Sequence, residues 1–167
     1  ASMLVGEENE GWRLITTQLN HERVMLGPAG RLEGLRDMVA DWARERDLLD
    51  QPDVRRALAR VTAVFRVNEL LNWQVAAGAD SGSAVNAIAD ASASKVLASE
   101  EVQELGMELH DIVAAHGDPT DPETAYLLNY LDLTAKRNLV LTFGGGVNEV
   151  QRELIAQFGL GLPRVPR

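Results

Sequence analysis

The sequence predicts an all-α domain, an antiparallel four-helix bundle with a short fifth helix at its C-terminal end. Three observations carry this. Apolar residues recur at steps of three, four or their sums through four long stretches. Gly-, Pro- and Asp-rich punctuation separates them, at Asp50-Gln51-Pro52-Asp53, Gly78-Ala79-Asp80-Ser81-Gly82-Ser83 and His116-Gly117-Asp118-Pro119-Thr120-Asp121-Pro122. No stretch after residue 6 alternates in the manner of a strand pair.

Leu4-Val5-Gly6 reads as the end of an extended segment, and Glu7-Glu8-Asn9-Glu10-Gly11 as an acidic turn at a helix start, where the dipole favours carboxylates. The first helix is expected from Trp12 to about Arg46, with Trp12, Ile15, Leu19, Leu26, Leu35, Met38 and Trp42 on its stripe. Pro28 is placed to kink or interrupt it. Unbroken, the helix would be roughly 50 Å long. The second, from Asp53 to about Ala77, is apolar on two sides, through Val54, Leu58, Val61 and Phe65 and through Val64, Leu71 and Val75. Such a helix belongs among others. The third, from about Ala84 to Ala115, runs through Val85, Ile88, Val96, Val102, Leu105, Leu109 and Val113, and its Ala- and Ser-rich first half allows close helix contact. The fourth starts near Pro122 or Glu123 and carries Tyr126, Leu127, Tyr130, Leu133, Leu139, Val140 and Phe143. It ends at Gly144-Gly145-Gly146, and a short helix follows from about Asn148 to Phe158.

Composition narrows the function. The 167 residues, 46% hydrophobic and 25% charged, suit one folded domain with its own core. The net charge of −9 argues against nucleic acid as a partner. No apolar stretch is long enough to span a bilayer, and no basic run suits a membrane surface. Residues 1–6 lack the charged-then-apolar order of a secretory signal. The lack of Cys removes disulfides and thiolate metal sites and fits a reducing cytoplasm, the expected location. His21, His110 and His116 are scattered without metal-ligand spacing, so no metal is expected.

Few residues are placed for chemistry. Glu22 lies three after Leu19 and four before Leu26, on the apolar stripe. A carboxylate there loses hydration, which raises its pKa and suits a general base. The pattern leaves two readings open, a base or an interior Glu held by an ion pair. Lys95, seven after Ile88, is expected to lay its stem along apolar surface with its head in water. Asp111 and His116 read as caps or interface groups, Trp12, Trp42, Trp73, Tyr126 and Tyr130 as core or interface packing. Arg44-Glu45-Arg46-Asp47 reads as a solvated face. No Ser/His/acid grouping supports a nucleophilic triad. The triple-glycine turn opens a helix, and its N–H groups suit an anion. Alone the signal is weak, since such a turn is more often only a tight connection between helices.

Three segments give the chain a family resemblance. Leu4-Val5-Gly6-Glu7-Glu8-Asn9-Glu10-Gly11-Trp12 looks like the join between the β-domain and the C-terminal helices of the acyl-CoA dehydrogenases. Leu19-Asn20-His21-Glu22-Arg23 is similar to that family's (L/F)-(D/N)-x-(E/T)-R signature. Gly144-Gly145-Gly146-Val147-Asn148-Glu149-Val150-Gln151-Arg152-Glu153-Leu154-Ile155-Ala156, with Gly159-Leu160-Gly161-Leu162-Pro163, resembles its C-terminal signature. The resemblance implies that residues 12–167 are the C-terminal helical domain and residues 1–11 a remnant of the join to a β-domain. It also implies FAD as cofactor, an acyl-CoA substrate, electron-transfer flavoprotein as acceptor and a homo- or hetero-oligomer. Many members carry the α-proton base in the C-terminal signature, where this chain has Gly145. In others it precedes the Arg of the first helix, the position of Glu22. By the same comparison Leu19, Asn20 and Arg23 would border the CoA cleft, and Gly146, Val147 and Glu149 would lie near FAD. Val147 replaces the usual Thr and lacks its hydroxyl. The family's Arg-x-x-Phe-Gly is missing at Ala43-Arg44-Glu45-Arg46-Asp47-Leu48, and its Gln-x-x-x-Gly-Gly is replaced around Asp111 and Ala114-Ala115. Those losses resemble heterotetrameric actinobacterial members, several of which act on steroid side chains. The resemblance thus implies either a catalytic domain with Glu22 as base or a non-catalytic subunit of a heteromeric enzyme.

Overall fold

The computed structural model describes residues 3–25, 30–80 and 84–164, with side chains described at these positions except 20, 21, 23–25, 79, 80 and 84–86. Its described elements are helices: α1 (Gly11–Met25), α2 (Gly30–Glu45), α3 (Pro52–Asp80), α4 (Ala84–His116), α5 (Pro122–Asn138) and α6 (Asn148–Leu154). A 3-10 turn over Leu139–Thr142 extends α5, and a π-helical turn over Ile155–Gly159 extends α6. The all-α expectation holds. The expected first helix is present as α1 and α2, on either side of residues 26–29. Leu26 and Pro28 lie outside the described residues, and so does the second half of the expected break, residues 81–83. Gly78, Ala79 and Asp80 of that break belong to α3.

The core sits among α2, α3, α4 and α5. Leu32, Leu35, Val39 and Trp42 of α2 meet Val54, Val61 and Phe65 of α3, Val102, Leu105, Leu109 and Val113 of α4, and Leu127 and Leu131 of α5. The three-and-four spacing marks most of these, but not Leu32, Val39 or Leu131. Of its stripe on the fourth helix only Leu127 is in the core, while Tyr126, Tyr130, Leu133, Leu139, Val140 and Phe143 are exposed. The central helix is α4, against which α1, α2, α3, α5, α6 and both short turns pack. Its N-terminal half buries Ala89, Ala91, Ser92, Ser94, Ala98 and Ser99, small side chains that let neighbouring backbones approach. A Cβ on Gly159 would lie only 3.2 Å from Ala89 Cβ.

Polar contacts fix the helix ends. Asp121 caps α5, its Oδ2 accepting from Thr124 N at 3.0 Å, and Pro122 occupies the first turn. His116 at the end of α4 pairs with Asp53 at the start of α3, Nε2 to Oδ2 at 2.7 Å. This hydrogen bond holds the Asp53 carboxyl below its usual range. Asp47 closes α2 in the left-handed conformation at φ 57°, near where the family pattern has its missing glycine. Of the expected solvated face, Arg44, Glu45 and Asp47 are exposed. Arg46 departs from it: half-buried, it stacks on Trp42 and donates to Asp121 Oδ2 at 2.7 Å and Glu123 Oε2 at 2.9 Å, tying α2 to α5. The aromatic expectation divides. Trp42 is buried, whereas Trp12, Trp73, Tyr126 and Tyr130 stand at the surface.

Candidate functional site

Glu22 lies on α1, and its side chain is exposed. The expectation of a dehydrated carboxylate is therefore corrected for this chain. The reason is the placement of its helix: α1 packs against α4, and the face carrying Trp12, Leu14 and Ile15 is left open to solvent. Periodicity identified the stripe, but a stripe is buried only where something covers it. Leu19 is half-buried on the same helix, and the side chains of Asn20, His21 and Arg23 lie outside the described residues.

The glycine turn is the second part of the site. Gly145 and Gly146 take φ of 67° and 104°, conformations that favour glycine. A Cβ on Gly146 would come within 2.5 Å of Gln151 Nε2. Gln151 is fully buried beneath the turn, and its Nε2 donates to Gly145 O at 3.0 Å. Val147 is the N-cap of α6 and makes no side-chain cap bond, as expected of a residue without a hydroxyl. Glu149 is exposed in the first turn of α6. Helices α1 and α6 both pack on α4, which is therefore the common support of Glu22 and the turn.

Lys95 is the residue the sequence misplaced. Its head was expected in water, yet it is 1% exposed. Its Nζ donates to Thr142 O at 3.1 Å and to Asn148 Oδ1, on either side of the turn. A buried ammonium is costly unless its hydrogens find acceptors, and the turn supplies them. Spacing from Ile88 gave the correct face of α4 but not the neighbour that closes over it. Asn148 is also a functional candidate that sequence reasoning passed over. It is buried, accepts from Ser99 Oγ at 3.1 Å and donates through Nδ2 to Glu100 Oε1 at 3.1 Å. Asn just after a Gly run was the available signal, and it reads more readily as a turn residue.

Beside α6 a cleft of about 410 Å³ is lined by Glu100, Gln103, Glu104, Thr142, Glu149 and Arg152, among others. Arg152 is held by Glu100 through contacts of 2.6 and 2.8 Å. No described group of three or more His, Cys, Asp or Glu residues could hold a metal. No helix of the described residues is long and apolar enough to cross a membrane.

This helical layout, with its first-helix Glu and glycine turn, defines a class. The chain belongs to the acyl-CoA dehydrogenase family, whose C-terminal domain model matches residues 9–160. Acyl-CoA dehydrogenase FadE29 of Mycobacterium tuberculosis is 56% identical over 170 residues, covering 99% of this chain and 43% of the relative. Acyl-CoA dehydrogenase FadE26 of the same organism is 40% identical over 172 residues, covering 98% and 43%. Among solved structures, the ChsE4-ChsE5 complex from Mycobacterium tuberculosis is similar at a TM-score of 0.79 and 39% identity, covering 97% of this chain and 42% of the other. The Tcur3481-Tcur3483 steroid ACAD is similar at 0.80 and 41%, covering 96% and 42%. The chain thus spans about two fifths of the length of the proteins it matches, by the 43% and 42% coverage.

The family generally uses FAD, and toward such a group the turn offers backbone rather than side-chain donors. With no side-chain cap on α6, backbone N–H groups at Val147 to Glu149 face no competing hydroxyl or carboxylate from the cap, which suits the acceptor atoms of a flavin ring. They do not fit a pyrophosphate. The adjoining cleft presents Glu100, Glu104 and Glu149, and its Arg152 is already paired. Gly146, Val147 and Glu149 are accordingly candidates for the ring end alone.

Proposed function

We propose that the chain is the C-terminal helical domain of an FAD-dependent acyl-CoA dehydrogenase, with residues 1–11 joining it to a β-domain, and that Glu22 is its base. The observation carrying this is an exposed carboxylate on the open face of α1, in a chain whose C-terminal turn has glycine at 145. Such a face is where other domains and an acyl-CoA can enclose the carboxylate. Enclosure would give it the desolvation that a base near neutral pH requires. Glu22 takes the α-proton of the thioester, the β-carbon loses hydride, and the trans-2-enoyl-CoA results. FAD, when bound, supplies the hydride acceptor, with electron-transfer flavoprotein as the onward partner. Gly145 leaves space beside the base, while Leu19, Asn20 and Arg23 border the CoA cleft.

The assembly is proposed to be heteromeric and the acyl group bulky and steroid-derived. The relatives described as the ChsE4-ChsE5 complex and as a steroid ACAD support this reading. So does the acidic cleft, which leaves the pyrophosphate to be held by other parts of the enzyme. In the full-length enzyme, Glu22→Gln is expected to abolish flavin reduction by an acyl-CoA under anaerobic conditions. Flavin bleaching at the unmodified rate overturns the assignment. The same cleft favours a second reading, a non-catalytic subunit. Under that reading Glu22→Gln leaves the activity of the reconstituted complex unchanged.

A further inference from the structure

We propose that Lys95 is a positioning residue for this reaction, its one buried ammonium holding both ends of the glycine turn. The inference rests on the reading above, which puts Gly146 and Val147 beside the cofactor. Thr142, whose carbonyl accepts from Lys95 Nζ at 3.1 Å, is the last residue of the 3-10 turn. Asn148, whose Oδ1 is the other acceptor, opens α6. Gln103 Nε2 adds a bond to Thr142 Oγ1 at 3.1 Å, and Glu100 steadies Asn148 from the far side. Between these anchors lie Gly144, Gly145 and Gly146, the residue type with the greatest backbone freedom. Two anchors on one rigid helix remove that freedom where a site needs fixed geometry. A displacement of 1 Å at a reacting centre costs on the order of 100-fold in rate. If Lys95 served only to fill space, Met, of similar length and apolar, would serve as well.

The test uses the full-length protein with whatever subunit it assembles with. In Lys95→Met, amide hydrogen exchange at residues 143–148, measured without cofactor or substrate, is expected to accelerate at least tenfold. The bound-flavin absorption should shift, and kcat should fall roughly 10- to 100-fold with KM nearly unchanged. Lys95→Arg should restore part of each. Asn148→Ala, which removes one anchor, should move the same readouts less, and it decides the matter if Lys95→Met does not fold. Val61→Ala, a core change away from the turn, serves as the stability control. Unchanged exchange at 143–148, or acceleration that Val61→Ala matches, overturns the proposal. Glu22→Gln run alongside separates the two readings. If it remains active, the base assignment fails while faster exchange in Lys95→Met still establishes the anchor.

Discussion

Trp42 donates its indole N–H to Thr124 Oγ1 at 3.0 Å, and that hydroxyl donates onward to Asp121 Oδ2 at 2.8 Å. One buried hydroxyl thus serves the core of α2 and the cap of α5 at once. Thr124→Val keeps the shape but leaves the indole N–H unpaired in the core. An unsatisfied buried donor costs about 1–3 kcal/mol. Urea unfolding should show a lower midpoint by that amount with an unchanged m-value.

The same cap sets an acid limit. Thr124's hydroxyl, then its backbone N–H, and Arg46 hold the Asp121 carboxyl at about 2, below the ordinary 3.8. A folded-state pKa below the unfolded one means the contribution is present above the unfolded value and is lost as pH falls from about 3.8 to about 2. Asp53, lowered by His116, adds a loss of the same sign. Asp121→Asn keeps an acceptor and removes the titration. The midpoint of Asp121→Asn should therefore fall less steeply over that window than that of the unmodified chain, as urea melts at successive pH values would show.

What could be read without coordinates follows from which interactions are local. Leu105, Leu109 and Val113 were legible because helical spacing repeats along one chain segment, and all three are fully buried. The start of α5 near Pro122 is local in the same way, although its cap, Asp121, was read only as part of the preceding loop. Glu22 and Lys95 were misjudged in opposite directions for one reason. Spacing finds the stripe, but burial depends on residues remote in sequence. Lys95 is covered by Thr142 and Asn148, some fifty positions away, while α1 rests on α4 and keeps its other face open. Glu22 became a candidate twice, from its place on the stripe and from its neighbours Asn20 and Arg23 in a known signature; its exposure removes the first support and leaves the second.

Leu109 is the most direct probe of the core. It is fully buried on α4, within the cluster shared by α2, α3 and α5. Leu109→Ala removes buried methyl groups and leaves a cavity, at a cost of about 2–5 kcal/mol. Trp73→Ala, on the exposed part of α3, should change stability by no more than about 0.5 kcal/mol in the isolated chain. Guanidinium melts of both variants check the contrast. Equal losses would mean that the surface around Trp73 is covered in solution.

Two glycines should respond to alanine with opposite signs. At Gly117, just past the end of α4, an added Cβ would meet Thr124 Cγ2 at 2.5 Å, Val113 O at 2.7 Å and Trp42 Cζ2 at 3.0 Å. One of these atoms is backbone and another belongs to the fixed indole, so neither can yield cheaply. Gly117→Ala should destabilise by about 1–3 kcal/mol, as overpacking does. It should also weaken the Trp42 to Thr124 bond, visible as a change in tryptophan fluorescence. At Gly34, inside α2, an added Cβ meets nothing within 4 Å. There the helix gains a better helix former and the unfolded chain loses freedom, worth about 0.4–1 kcal/mol. Thermal melts of the two variants should move to either side of the unmodified chain. A fall in Tm for Gly34→Ala would show that this open side of α2 is filled in solution.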